Sequence, residues 1–289
     1  MIFASIKGIT IPEGAVKQIA DSDGRVLWKG GLDVAGMAIG YTGAYTDQLE
    51  VTMSGKKYRL LTLTGSGTLT VDAEVNADVW LCNGGNSGIG AGYEGGGGGY
   101  FLRLDKVALQ KSTACIIGAG GHATNYTSGT AKGGGTTSFG EETPDTQPNG
   151  SNCKNGASGG GAGGGSAGSG CGQSTVPFEE ASVFGVHSAG GGGGANEDRE
   201  INDKYGGGTG GSNGANGGTR VGASNVGGTG GEKGGGKGGN STSDGDDATF
   251  YGSGGGGGGY YCNRNGNETR SYPGDGYQGV IYVRIPYEQ

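Results

Sequence analysis

Uninterrupted glycine is the feature that most constrains what this chain can fold into. Runs such as 95–99 and 254–259 carry no side chain to bury. Glycine in a helix interior costs about 1 kcal/mol per residue relative to alanine, so these stretches are not α-helical. Of 76 glycines in 289 residues, 61 fall between residues 84 and 260, with 11 before and 4 after. Ordinary usage is roughly 7%.

Three kinds of structure have such a composition. Collagen requires glycine at every third position and abundant proline. The chain has six prolines and its glycines come in runs, which excludes it. A flexible linker and an ordered bundle of polyglycine II helices remain. A polyglycine II helix has the polyproline II geometry, with three residues per turn and a rise of about 3.1 Å. It makes no internal hydrogen bonds, so its amides and carbonyls point outward in three directions. Glycine leaves every face open to a neighbouring backbone.

The distribution favours the bundle. Glycine-rich stretches recur at 84–99, 156–172, 189–195, 205–218, 227–239 and 252–259. Between them, 141–155, 173–188, 196–204, 240–251 and 262–275 hold most of the region's charge, proline and aromatic residues. Aromatics stand at run ends: Tyr100 and Phe101, Tyr260 and Tyr261, and Tyr205. Ordering backbone opposes this by roughly 1–2 kcal/mol per residue. Only dense hydrogen bonding between helices, aided by Cα–H···O contacts, offsets it.

Strand patterns bracket the glycine-rich region. Residues 1–30 read as a small β unit, with a hairpin of Val16–Ile19 and Arg25–Trp28 around Asp21-Ser22-Asp23-Gly24. Residues 31–83 read as antiparallel β structure. Within it, Tyr58–Thr64 and Thr68–Asp72 flank Gly65-Ser66-Gly67 and predict a hairpin. Asp78–Cys82 predicts a more buried strand. Tyr100–Leu104 and Ala114–Ile117 predict strands inside the segment 84–278, which is the expected bundle. The apolar series Val280–Ile285, within 279–289, predicts a last strand that returns to the β region. Helix is almost absent, apart from one short turn at Glu180–Val186. The expected class is all-β plus a polyglycine II bundle: a small N-terminal β unit, an antiparallel β layer, and a glycine-rich sandwich with loops.

The net charge is −7 and the pI about 4.9, which argues against nucleic acid as a partner. No apolar run is long enough to cross a bilayer, and the opening residues lack a signal-peptide core. The five cysteines (Cys82, Cys115, Cys153, Cys171, Cys262) include no CxxC pair, so they read as reduced thiols, with a Cys153–Cys171 staple as the alternative.

Several motifs tempt and fail. Gly231 to Lys237 fits GxxxxGK, but Gly238 stands where a P-loop needs Ser or Thr. Asp244-Gly245-Asp246-Asp247 lacks the spacing and distal glutamate of an EF-hand and reads as a solvated acidic loop. The histidines are His122 and His187 only, and neither belongs to a recognisable catalytic arrangement. No catalytic, cofactor-binding or metal-binding residue is assigned, no cofactor is expected, and the chain reads as a non-enzyme.

Five pieces in order carry a resemblance: Val79–Gly85, Gly95–Tyr100, Ile117–Gly121, Gly133–Gly140 and Gly279–Pro286. Together they resemble the glycine-rich domain of phage and prophage tail proteins. Ile9–Gly14 through Gly24–Trp28 is similar to the opening of tail-fibre or baseplate proteins of Firmicutes prophages. The bundle is similar to that of tail-tip adhesins of T-even-like phages, where loops between glycine helices contact the host. The resemblance implies a virion tail protein made in the bacterial cytoplasm, with other tail or baseplate proteins and a bacterial surface glycan or protein receptor as partners. A homotrimer is one assembly it implies. A purely structural tail role and a tail-associated polysaccharide hydrolase are the alternatives. Receptor contact is expected at Phe178, Phe184, His187 and Tyr251, with bundle capping as the competing role for the aromatics. Attachment to the particle is expected through Ile9, Ile11, Val26 and Trp28.

Overall fold

The computed structural model describes residues 18–20, 26–29, 34–90, 95–123, 132–144, 195–198, 203–205, 229, 234–240 and 242–287. Among them the chain is all-β, with no helix. The strands in chain order are β1 (Gln18–Ala20), β2 (Val26–Lys29), β3 (Ile39–Tyr41), β4 (Tyr45–Met53) and β5 (Lys56–Leu63). Next come β6 (Gly67–Val71), β7 (Asn76–Cys82), β8 (Phe101–Ala108), β9 (Ser112–Ile116) and β10 (Ser138–Phe139). The last are β11 (Asn196–Asp198), β12 (Asp203–Tyr205), β13 (Tyr260–Cys262), β14 (Glu268–Arg270) and β15 (Val280–Pro286).

Two sheets share one core. The larger has the order β4-β5-β15-β7-β8, and the smaller β10-β9-β6-β3. Alternation along the strands makes the core. Leu61 and Leu63 of β5, Val79 and Leu81 of β7, and Ile281, Val283 and Ile285 of β15 face one way. They meet Leu69 and Val71 of β6, Cys115 of β9 and Phe139 of β10. The intervening residues Leu60, Trp80, Val280 and Tyr282 are buried on the other face of the larger sheet, with Met53. A strand buried on both faces reads as a continuous apolar run, and β15 is such a strand. It pairs antiparallel with both β5 and β7, so the chain's last strand lies between strands that began the domain.

The hairpin predicted at Gly65-Ser66-Gly67 does not form. β5 pairs with β4, through a two-residue turn at Ser54 (φ 49°) and Gly55 (φ 78°). That is the primed turn chemistry hairpins favour. β6 instead pairs with β3 and β9 in the other sheet. Residues 64–66 therefore carry the chain between sheets. They do so in close contact with the stretch before β4: a Cβ on Gly67 would overlap the Gly43 amide. Strand periodicity was legible at this point, but the partners were not, because both strands carry apolar residues suited to the shared core. The predicted hairpin of the N-terminal unit is present as β1 against β2, a two-stranded sheet of its own. Residues 1–17 of the N-terminal unit and the turn expected at Glu180–Val186 lie outside the described residues.

The glycine-rich segments leave the sandwich as extensions of its strands. β7 runs on into 83–90, and 95–100 returns into β8. β9 runs on into 118–123, and 132–137 returns into β10. Rod 252–259 leads into β13, and rod 271–279 leads from β14 back into β15. None of these rods has strand or helix pairing within itself. Their backbone hydrogen bonds go to neighbours, with a period of three.

Rod 83–90 illustrates the rule. The amides of Asn83 and Asn86 donate to Tyr100 and Gly97, at 2.8 and 2.9 Å. Those of Gly84 and Ser87 donate to Gly135 and Lys132, both at 3.0 Å. Those of Gly85 and Gly88 donate to Tyr277 and Gly274, both at 2.9 Å. Three successive residues thus address three different rods, and the fourth returns to the first. An extended backbone with three residues per turn has this directionality, whereas a β-strand alternates between two sides.

Rod 252–259 has five such neighbours. Gly255 and Gly258 donate to Asn86 and Ile89, and Gly96 and Gly99 donate to Gly255 and Gly252. Gly236 and Gly239 donate to Gly254 and Gly257. Ser271, Gly274 and Tyr277 donate to Gly259, Gly256 and Ser253, and Gly256 donates to Asp246. The rods approach so closely that a Cβ on Gly254, Gly255 or Gly256 would overlap a carbonyl of Gly96, Gly274 or Lys237 respectively. Each of three consecutive glycines faces a different rod, so no side chain is tolerated on any side.

This geometry sets a measurable contrast. Gly256→Ala drives a methyl into the Lys237 backbone and is expected to destabilise by about 3 kcal/mol or more. Gly55→Asn, at a turn with nothing within 4 Å of the added Cβ, is expected to change stability by under about 1 kcal/mol, since Asn tolerates the left-handed region. Denaturant midpoints of the two variants and the parent test the difference. Equal, small effects would contradict close rod packing.

Candidate binding surface

Short polar side chains add to the backbone hydrogen bonds between rods, accepting amides that no neighbouring carbonyl meets. Asn83 and Asn86 accept the amides of Thr137 and Gly134 through Oδ1, at 2.8 and 3.0 Å. Ser87 Oγ accepts the amide of Lys132 at 2.9 Å. Asp244 and Asp247 accept the amides of Tyr272 and Asp275, both at 2.7 Å. Each pair repeats the three-residue spacing of the backbone ladder. Asp275 in turn accepts the Ala123 amide through Oδ1 and contacts His122 Nδ1 through Oδ2, both at 2.6 Å. The acidic segment 244–247 thus acts as an acceptor row for rod 271–279. Among the described residues no group of three or more His, Cys, Asp or Glu could hold a metal ion.

Gly236, beside Lys237, is packed into the lattice against Asp246 and Gly256 and is not open to a phosphate. Gly236 and Gly239 donate to Gly254 and Gly257, and the Lys237 carbonyl accepts the Asp246 amide. Cys82, Cys115 and Cys262 are buried free thiols, and burial pushes the Cys115 thiol up to about 12. Cys153 and Cys171 lie outside the described residues.

Two buried guanidinium groups went unread in the sequence. Arg59 is paired with Asp47 through two hydrogen bonds, of 3.0 and 2.6 Å, and donates to the carbonyls of Val34 and Met37. Arg284 bonds Asp78 at 2.8 Å and lies 4.6 Å from the Trp80 ring centre and 4.7 Å from that of Tyr58. Arg103 lies 5.2 Å from the Trp80 ring centre. The available signal was an arginine inside each apolar strand, at Tyr58-Arg59-Leu60 and Val283-Arg284-Ile285. Such a residue must find a charge partner, and Arg284 finds aromatic faces as well.

Of the predicted receptor contacts, Tyr251 alone is described. It is half-buried at the junction of rod and sandwich, packed against the cluster of Trp80 and Tyr282. Its ring is 5.7 Å from Tyr277, edge-on, and 5.1 Å from Phe250. Phe178, Phe184 and His187 lie outside the described residues, as do Ile9 and Ile11. Val26 and Trp28 are in β2, where Trp28 stands opposite Ile19 and Val26 opposite Ala20.

At the other end of the rods stands a four-stranded sheet, in the order β12-β11-β13-β14. The rods 252–259 and 271–279 end in its hairpin β13–β14. Tyr260 donates its hydroxyl to Glu268 at 3.1 Å, and Arg270 bonds Glu268 at 2.6 Å while lying over the Tyr260 ring. The connecting turn is built on Asn263. Its Oδ1 accepts the amides of Asn265 and Asn267 at 2.9 and 3.0 Å, and its carbonyl accepts that of Gly266 at 3.0 Å. Gly266 supplies the left-handed residue, at φ 74°. Residues 264–269 are all exposed. No protein-family model matches the chain, and no curated protein matches it.

The Asp78 pair yields a pH prediction. Burial raises the Asp78 carboxyl, but hydrogen bonds from Arg284 and from the Lys106 amide outweigh it and hold the group below its usual range. The unfolded value is about 3.9. A carboxyl depressed by folding contributes stability that is fully present above that value and is lost as pH falls through the folded value. Asp78→Asn is expected to cost about 2 kcal/mol at pH 7, less than a fully buried pair because Asp78 keeps some solvent contact. The gap between parent and variant should shrink below about pH 4. Denaturant melts from pH 7 to 2 measure it; a gap that is unchanged across the series would refute the assignment.

Proposed function

We propose that this protein is a tail component of a phage or phage-like particle that binds the bacterial surface, and that its rods are polyglycine II helices. The observation that carries this reading is the three-neighbour hydrogen-bonding period of the rods. It supports a stiff scaffold made almost without side chains, which leaves the connections between rods to vary in composition. The ordered series from Val79–Gly85 to Gly279–Pro286, which resembles the glycine-rich domain of tail proteins, supplies the biological setting. Fold alone does not fix function, so the setting rests on that resemblance and on the separation of scaffold from connections.

The β1–β2 hairpin supports an attachment role for the N-terminal unit. A two-stranded sheet is marginal on its own in water, so it gains from a partner surface.

Purified protein is expected to bind host cells saturably and to reduce phage adsorption in competition. Flow cytometry with labelled protein and an adsorption assay test this. Absence of binding would leave a purely structural tail role, and release of soluble glycan by the purified protein would replace the reading with a hydrolase.

A further inference from the structure

We infer that Asn265 is a self-modification site. With Gly266 it cyclises to a succinimide and ages to aspartate and isoaspartate, while the step Asn83-Gly84 is locked against the same reaction. The inference stands apart from the host-binding reading. Asn-Gly steps also begin at 149, 155, 213 and 216, all outside the described residues.

The reaction needs no partner but water. The Gly266 backbone nitrogen attacks Cγ of Asn265 and an N–Cγ bond forms. The Cγ–Nδ2 bond breaks, and ammonia leaves with the proton that the backbone nitrogen gave up. Water then opens the five-membered ring. Opening at Cγ gives aspartate. Opening at the main-chain carbonyl gives isoaspartate, whose backbone runs through Cγ and is one methylene longer. The step therefore requires a free carboxamide, an unhindered nitrogen after it, and backbone that can bend.

Asn265 meets these requirements. Its carboxamide makes no hydrogen bond among the described residues, and residues 264–269 are all exposed. Nothing lies within 4 Å of a Cβ placed on Gly266. Two bonds hold the step, both to Asn263: the Asn265 amide on Oδ1 at 2.9 Å and the Gly266 amide on the carbonyl at 3.0 Å. Gly266 is at the surface, so water replaces the second bond at small net cost when it opens.

Asn83-Gly84 is the same dipeptide inside the lattice. Asn83 is 2% exposed, and its Oδ1 accepts the Thr137 amide at 2.8 Å. The Gly84 amide donates to the Gly135 carbonyl at 3.0 Å. A Cβ on Gly84 would lie 2.0 Å from the Ala119 carbonyl oxygen, so this backbone has no room to bend. Cyclisation there would strand the Thr137 amide and the Gly135 carbonyl in a buried place, at about 1–3 kcal/mol each. A difference of that size in the barrier slows a reaction about tenfold or more.

The product has a local consequence. It adds a negative charge near Glu268, which already holds Tyr260 and Arg270. Isoaspartate also changes the spacing of the Asn265 and Asn267 amides that Asn263 Oδ1 accepts together.

The test incubates the folded full chain and the guanidinium-denatured chain side by side at mildly alkaline pH. Peptide mapping by mass spectrometry follows succinimide, aspartate and isoaspartate at both steps. In the denatured chain the two steps are expected to convert at comparable rates, because glycine follows each asparagine. In the folded chain Asn265 is expected to convert at least about tenfold faster than Asn83. Asn265 that stays intact in the folded chain while converting in the denatured one would mean that the turn protects it, and would overturn the site. Equal rates at the two steps in the folded chain would overturn the lock at Asn83.

Discussion

The backbone hydrogen bond between rods is the interaction on which everything else in this molecule depends. An extended glycine backbone has no internal partner for its amides and carbonyls, and it has no side chains whose burial could compensate. Each amide must be met by water, a neighbouring rod or a polar side chain. In the interior, rods meet one another. Where no neighbouring carbonyl meets an amide, the side chains of Asn83, Asn86, Asp244 and Asp247 accept it. Leaving such a group buried and unpaired would cost about 1–3 kcal/mol, so the lattice tolerates few gaps.

The sandwich and the rods support each other. The sandwich is held by apolar burial in the usual way, and its β15 binds the end of the chain between β5 and β7. That closure fixes where rods 83–90, 95–100 and 271–279 begin, and with them the register of the lattice. The rods in turn shield the sandwich edge, where Tyr251 packs at their junction. One element is stabilised by area removed from water, the other by polar geometry. Their dependence on sequence differs accordingly: the sandwich tolerates apolar exchange of similar size, whereas glycines such as Gly254, Gly255 and Gly256 leave no room for a Cβ.

That difference also explains what could be read in advance. Strands β7, β8, β9 and β15 were legible because alternation and apolar runs record burial residue by residue. The partner of β6 was not, since Leu69 and Val71 suit either sheet. Within the rods, glycine carries no mark of which rod faces which. Composition pointed to rods, but the pairing of Gly85 with Tyr277 or Gly255 with Asn86 is written only in geometry. The acidic stretch at 244–247 is solvent-facing, as its composition indicates, with Asp244, Asp246 and Asp247 exposed, but its added role as an acceptor row is visible only once rod 271–279 lies beside it. The β13–β14 turn was similarly obscured. Asn263, Asn265 and Asn267 look equivalent in sequence, but Asn263 accepts the amides of the other two through its side chain. Of the expected contact residues, Tyr251 was placed; the others fall outside the described residues.

Hydrogen exchange resolved to single amides is the most direct test of the lattice. The account predicts strong protection at Gly85, Gly88, Gly255, Gly258, Gly274 and Tyr277, whose amides all donate to other rods, comparable with that of β15. The turn residue Arg264, whose amide has no such bond among the described residues, should exchange near the rate of an open chain. Exchange of the six rod amides at open-chain rates, while β15 stays protected, would mean that the glycine segments do not hold one another, and the account would fail.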